Sequence, residues 1–221
     1  MENPLLHIPR SSRRDFMKLG LTGLAGVVGA GFPMSIQGKE KTEEPDYFPI
    51  QQGNWWIYNA EAAQPFQYKV SVSGTEEIDG HTYSLFLYEG ISKPLPLTIE
   101  RLRKEDNNVF RYSPIADPTD KIFYKFDALE DEYWKTHYHC LVQMGKKDEI
   151  ITIPAGTFEN CMNINFIDCQ AGEWFAPNVG LIKGEENPYS YSKYALECAY
   201  VNGNLIGVDS SVDEKNWKLY E

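Results

Sequence analysis

The sequence predicts an all-β, mainly antiparallel domain: a meander closed as a barrel or folded as a sandwich, with at most short helices. Three observations carry this. Apolar and polar residues alternate along many segments, the period of a strand with one wet face. Pro and Gly interrupt almost every window long enough for a helix, and both are poor helix-interior residues. Aromatic content is high, with 14 Tyr, 11 Phe and 5 Trp, and such side chains suit a pleated, half-buried surface. No period of about 20–50 residues repeats, which argues against a solenoid.

The chain opens differently. Arg10, Arg13, Arg14 and Lys18 supply a basic start, and Leu19 to Phe32, "LGLTGLAGVVGAGF", an apolar run. The run is too short and glycine-rich for a stable bilayer span, which needs roughly 20 apolar residues. Val28 and Ala30 are the small residues of a cleavage site after Ala30, the order of an export signal. Ser12, Arg13, Arg14, Asp15, Phe16, Met17 and Lys18 resemble the bacterial twin-arginine signal, Ser-Arg-Arg-x-Phe-Leu-Lys, with Met17 for Leu. The resemblance implies export of an already folded protein, with a periplasmic or extracellular location. A chain with Lys at both 13 and 14 is expected to remain in the cytoplasm as precursor. Normal export of that variant, read by fractionation, would remove the assignment.

The expected organisation is a signal peptide at 1–30, a charged tether at 31–46 and a single β-rich domain at 47–221. The tether reading rests on "GKEKTEEPD", Gly38 to Asp46, which lacks large apolar residues. The first cysteine is Cys140, so no lipid-bearing cysteine follows the cleavage site and no stable membrane anchor is expected. The chain carries 21 basic and 32 acidic residues, and the signal removes more basic than acidic ones. Such a surface repels phosphate backbones and anionic lipid heads, which argues against nucleic acid and membrane-surface partners.

Within the domain, Gly53-Asn54 is a turn that launches a strand, with Trp55 and Trp56 pointing to opposite faces. In "FQYKVSV", Phe66, Tyr68, Val70 and Val72 share a face. Asp79-Gly80 suits the positive φ angles of a tight hairpin, and "HTYSLFLYE" is the return strand. "LTIERLRKE", Asn107-Asn108 and "VFRYS" predict a second hairpin, and "KIFYKF", residues 121–126, alternates again. Ala128 to Tyr133 and the last dozen residues are the candidates for short helices. "DEIITIPAGTFENCMNINFID" is the clearest hairpin. Pro154 is pre-set for a type I turn and Gly156 for the positive-φ residue that closes it. Phe158, Met162, Ile164 and Phe166 should face the core. Ala176-Pro177-Asn178 turns the chain into Val179 and Leu181.

"YFPIQQGNWWIY", "IPAGTFENC" and "WFAPNVGLIKGE" resemble three signatures of exported bacterial β-proteins of unknown function. Those proteins carry an aromatic-Pro-x-x-x-Gly-Asn-x-Trp-x-Tyr opening, a Pro-Ala-Gly-Thr-Phe hairpin and an Ala-Pro-x-Val-Gly-Leu-Val-Lys stretch. Ile182 stands in place of the usual Val. The resemblance implies a fold and no assigned activity, and the signatures themselves read as structural.

Two constellations carry possible chemistry. "HYHC" places His137 and His139 two apart on one strand face, a spacing used by zinc sites on sheets, and His81 is the remaining candidate third ligand. Alternation puts these imidazoles with Lys135 and Gln143 on a wet face, opposite Trp134, Tyr138, Cys140, Val142 and Met144. No metal ligand is therefore assigned. Cys140, Cys161, Cys169 and Cys198 allow three pairings in an exported protein. Cys161 and Cys169 lie on one predicted strand, about 26 Å apart at about 3.3 Å per residue, which removes one pairing. No Cys-x-x-Cys, nucleophile elbow, zinc-protease helix, phosphate loop or dinucleotide fingerprint is present. No catalytic or cofactor-binding residue is assigned. The expectation is a non-catalytic exported domain that binds a small apolar ligand or a protein partner. The alternatives are a metal-binding protein or metal-dependent enzyme built on His137 and His139, and a carbohydrate-binding module.

Overall fold

A computed structural model describes residues 44–62, 64–114, 117–137, 140–185 and 193–207. The expected signal peptide, most of the tether, His139 and the C-terminal helix lie outside them. The described chain is almost entirely antiparallel β, in fourteen strands: β1 (Trp55–Glu61), β2 (Phe66–Ile78), β3 (His81–Gly90), β4 (Thr98–Glu105), β5 (Asn108–Ser113), β6 (Asp117–Lys125), β7 (Tyr133–Lys135), β8 (Leu141–Met144), β9 (Glu149–Ile153), β10 (Gly156–Phe166), β11 (Ala171–Ala176), β12 (Gly180–Glu185), β13 (Lys193–Val201) and β14 (Asn204–Ile206).

Hydrogen bonds link twelve of them in the order β6-β5-β4-β3-β2-β1-β13-β12-β11-β10-β8-β7, with β9 on β10 and β14 on β13. Two meanders are thus joined where β1 pairs with β13, Trp55 opposite Tyr200 and Ala60 opposite Tyr194. The path curls until its end strands, β6 and β7, meet through side chains. Trp134 donates its indole N–H to the Phe123 carbonyl at 3.3 Å, and Lys125 pairs with Glu132. The expected choice between barrel and sandwich therefore falls on a nearly closed barrel, whose end strands β6 and β7 are not joined by a ladder.

Turn chemistry sets the hairpins. Asp79 and Gly80 both take positive φ, 52° and 79°, and Ile78 faces His81 across them. The second hairpin turns at Asp106-Asn107, one residue earlier than expected. Glu105 faces Asn108, and Asp106 adopts φ 51°. Gly156 takes φ 135° with open space where a Cβ would stand. The cost of a side chain there is purely conformational, so Gly156→Ala should lower stability by about 1–2 kcal/mol. A denaturation midpoint left unchanged would show that the backbone is not in this conformation.

Two expectations are corrected, and a third gains a bulge that spacing does not give. Residues 128–132 form turns, not a helix, and Tyr133 already begins β7. Asp131 has φ 65°, and the Glu132 carboxylate accepts the Leu129 N–H at 2.9 Å, which locks the turn. In β10, Ile164 and Phe166 are buried, and Phe158 and Met162 are half-buried and packed against the core, as expected. A bulge at Asn160 (φ 56°) shifts the register and turns Cys161 into the core. His137 is buried, not on a wet face, because the strand stops at Lys135 and the alternation does not continue to it.

The chain before β1 plugs one end of the barrel. Phe48 packs against Phe86, Tyr124, Phe126 and Phe175, with ring centroids 5.4–6.4 Å apart. Tyr47 donates its hydroxyl to the Asn160 carbonyl at 2.9 Å, and Ser84 to that of Ile50 at 3.3 Å. The three signature stretches therefore meet. Trp56 donates to the Val179 carbonyl at 2.7 Å and Tyr58 to that of Leu181 at 2.8 Å. Trp55, as expected, lies on the opposite face, stacked on Tyr200.

Candidate functional site

Above the plug the barrel is not filled. A cavity of about 570 Å³ opens between Phe48, Pro49 and Trp56 at its floor and Leu95 and Pro96 of the β3–β4 connection, with Thr98 at the start of β4. That volume lies in the range of small-molecule sites. Alternation along the strands aims Tyr58 of β1, Tyr68 of β2, Phe86 and Tyr88 of β3, and Tyr194 of β13 into it. Tyr58 stacks on Tyr68 at 5.2 Å and meets Tyr194 edge-on at 5.7 Å. Tyr194 can lie this close to β12 because residue 184 is glycine, where a Cβ would collide with the ring.

Three charged side chains share these inward positions: Glu100 of β4, Arg111 of β5 and Glu173 of β11. Arg111 binds Glu100 at 2.9 Å and stacks over Phe123 at 4.9 Å. Tyr88 donates its hydroxyl to Glu100 at 2.8 Å. Glu173 accepts two hydroxyls, from Tyr124 at 2.8 Å and from Tyr194 at 2.9 Å. The wall is thus aromatic, with two anchored carboxylates and one guanidinium. Sequence reasoning missed all three charges. The available signal was their parity, since each alternates in phase with a buried apolar residue: Leu102, Val109 and Phe175.

Burial raises the hydroxyls of Tyr58, Tyr88, Tyr124 and Tyr194 well above the usual tyrosine value, and the neighbouring carboxylates add to this. Tyr88 and Tyr194 are half-buried by exposure, as rings that border a cavity are. A raised folded value favours the neutral form in the folded chain. That stabilisation is complete below about pH 10, the ordinary tyrosine value, and is lost as pH climbs through the folded values. Stability should therefore fall above about pH 10. Tyrosinate absorbance should rise in two stages, the second coinciding with unfolding. A single gradual titration of all 14 Tyr in the folded protein would contradict this.

The sequence-predicted histidines do not converge on this site. His137 places Nε2 2.6 Å from the Arg111 carbonyl, outside the cavity wall. His81 is exposed at the start of β3, with β4, β5 and β6 between it and the seam. Among the described residues no three His, Cys, Asp or Glu side chains are grouped to hold a metal ion. The four described Trp are buried or half-buried and present no exposed platform. A second recess, about 690 Å³, lies on the flank between Phe166, Trp174, Glu185 and Lys193. Its Lys193–Glu185 pair, at 3.7 Å, is exposed, and no tyrosine is among the described residues that line it.

No family profile matches the chain, and no curated protein matches it. Two solved structures are similar. One is a Bacteroides fragilis protein named as exported, with a YmcC-like fold: 16% identity, TM-score 0.46, covering 70% of this chain and 99% of that one. The other is a Parabacteroides distasonis protein named as a lipoprotein: 17% identity, TM-score 0.44, covering 69% of this chain and 97% of that one.

Proposed function

We propose that this chain is an exported barrel protein that holds a small, mainly apolar ligand in its aromatic cavity. The observation that carries the reading is the unfilled interior of about 570 Å³ walled by tyrosine and phenylalanine rings. Small barrels fill their interior with side chains, whereas larger ones enclose ligand cavities or channels. Arg111, Glu100 and Glu173 supply a polar end that would orient the occupant. The twin-arginine pattern at Ser12 to Lys18 supports export in the folded state.

The test is titration with the neutral apolar dye N-phenyl-1-naphthylamine, read by fluorescence, on the protein and on a cavity-filled variant. Val70→Phe places a ring into the cavity from β2. Should it not fold, Thr98→Trp at the exposed mouth blocks access instead. Affinity should weaken at least tenfold in the variant. Equal binding by both would overturn the reading, as would failure of the dye to bind at all.

A further inference from the structure

Cys140 and Cys169 are thiols with their sulfurs 3.3 Å apart. They are 29 positions apart in sequence. Cys140 ends the turn between β7 and β8, and Cys169 lies in the turn between β10 and β11. Because β8 pairs with β10, the two turns lie at the same end of the barrel. Backbone contacts hold them there. Leu141 N–H donates to the Asp168 carboxylate at 2.8 Å, and Ile167 N–H donates to the Leu141 carbonyl at 2.9 Å. Cys169 is exposed and Cys140 is buried. Cys161 is buried in the core, in the stretch of β10 that pairs with β9. Cys198 lies opposite Ile57 on β13.

We infer that Cys140 and Cys169 form a reversible disulfide that staples these two turns when a disulfide oxidant reaches the exposed sulfur. The chemistry is thiol–disulfide exchange. The Cys169 thiol loses its proton to solvent, and its thiolate attacks one sulfur of an oxidant such as oxidised glutathione. The oxidant's S–S bond breaks and one glutathione thiolate leaves, which solvent protonates. Cys140 then loses its proton to solvent, and its thiolate attacks Sγ of Cys169 in the mixed disulfide; the second glutathione leaves as a thiolate that solvent protonates. Two thiols are oxidised and one oxidant disulfide is reduced to two thiols. Burial pushes the Cys140 thiol up to about 12, so Cys140 is the resolving and not the attacking sulfur.

The bond has a structural consequence at the seam. β7 is the end strand of the hydrogen-bonded path. Its neighbourhood reaches β5 and β6 through Trp134 on the Phe123 carbonyl, His137 at the Arg111 carbonyl, and Lys125 with Glu132. Arg111 and Phe123 also line the cavity. Fastening the β7–β8 turn to β10–β11 therefore rigidifies the wall behind them. Export into an oxidising compartment would favour the closed form, but the inference does not depend on the cavity's occupant.

The experiment uses the full chain, reduced, then incubated with oxidised glutathione. Free thiols counted in denaturant should fall from four to two, and peptide mapping should recover Cys140 linked to Cys169. The melting midpoint should rise on the order of 5–10 °C, and dithiothreitol should reverse the rise. The exposed-site variant Cys169→Ser should keep the reduced protein's midpoint and show no rise. Four free thiols after oxidation, a cross-link between other cysteines, or a stable glutathione adduct on Cys169 without the internal bond would each overturn the inference.

Discussion

Replacing Trp56 with alanine is expected to cost about 3–4 kcal/mol, toward the lower end of the range of about 3–5 kcal/mol for a buried tryptophan. One face of the ring already borders the cavity, so fewer contacts are lost there than in a filled core. The other losses are complete. The indole is 4% exposed, stacks on Phe86 at 6.3 Å, and ties β1 to the turn before β12 through the Val179 carbonyl. For a domain stable by about 5–15 kcal/mol, that is a large share. Trp56→Phe separates the contributions. It keeps most of the volume but leaves the Val179 carbonyl without its donor, at about 1–3 kcal/mol. Guanidinium denaturation of the three proteins measures both. Equal costs for Phe and Ala would mean that the hydrogen bond, and not packing, dominates. A loss below about 1 kcal/mol for Ala would place Trp56 outside the core.

Asp120→Ala is expected to have the second-largest effect, about 2–3 kcal/mol. Arg103 is 8% exposed on the outer face of the sheet. Its guanidinium lies 4.0 Å over Phe110, and its Nε donates to Asp120 at 2.6 Å. Removing one partner of a buried pair typically costs about 3–5 kcal/mol, because the remaining charge stays out of water. Here Glu105 still pairs with Arg103 and the site is partly open, which lowers the figure. The double variant Arg103→Leu, Asp120→Leu should lose much less than the summed single losses, since no orphaned charge remains. Additive losses in that cycle would show that the pair behaves as a screened surface contact.

The strands themselves were legible because their signals are local. Alternation placed Phe66 to Val72 correctly, and Asp79-Gly80 and Pro154 to Gly156 lie where turn chemistry put them. The errors were also local in kind. Alternation carried through Thr136 and His137 assumed an unbroken strand, and the Asn160 bulge cannot be seen from spacing alone. The candidate site was not legible. Glu100, Arg111 and Glu173 looked like ordinary polar residues among 21 basic and 32 acidic ones.

The sequence by itself determined the class of structure, the hairpins and the positions of the aromatic signatures. Each depends on periodicity and turn preferences over a few residues. Only the tertiary structure decided that β1 meets β13, that Tyr47 to Ile50 stopper the barrel, and that Cys140 lies against Cys169. It alone decided that the inward face encloses space instead of packing solid. The physical reason is that a period of two separates one face of a sheet from the other but says nothing of what the face meets. Whether an inward carboxylate faces a cavity, a neighbouring ring or water is set by the curvature that brings distant strands together.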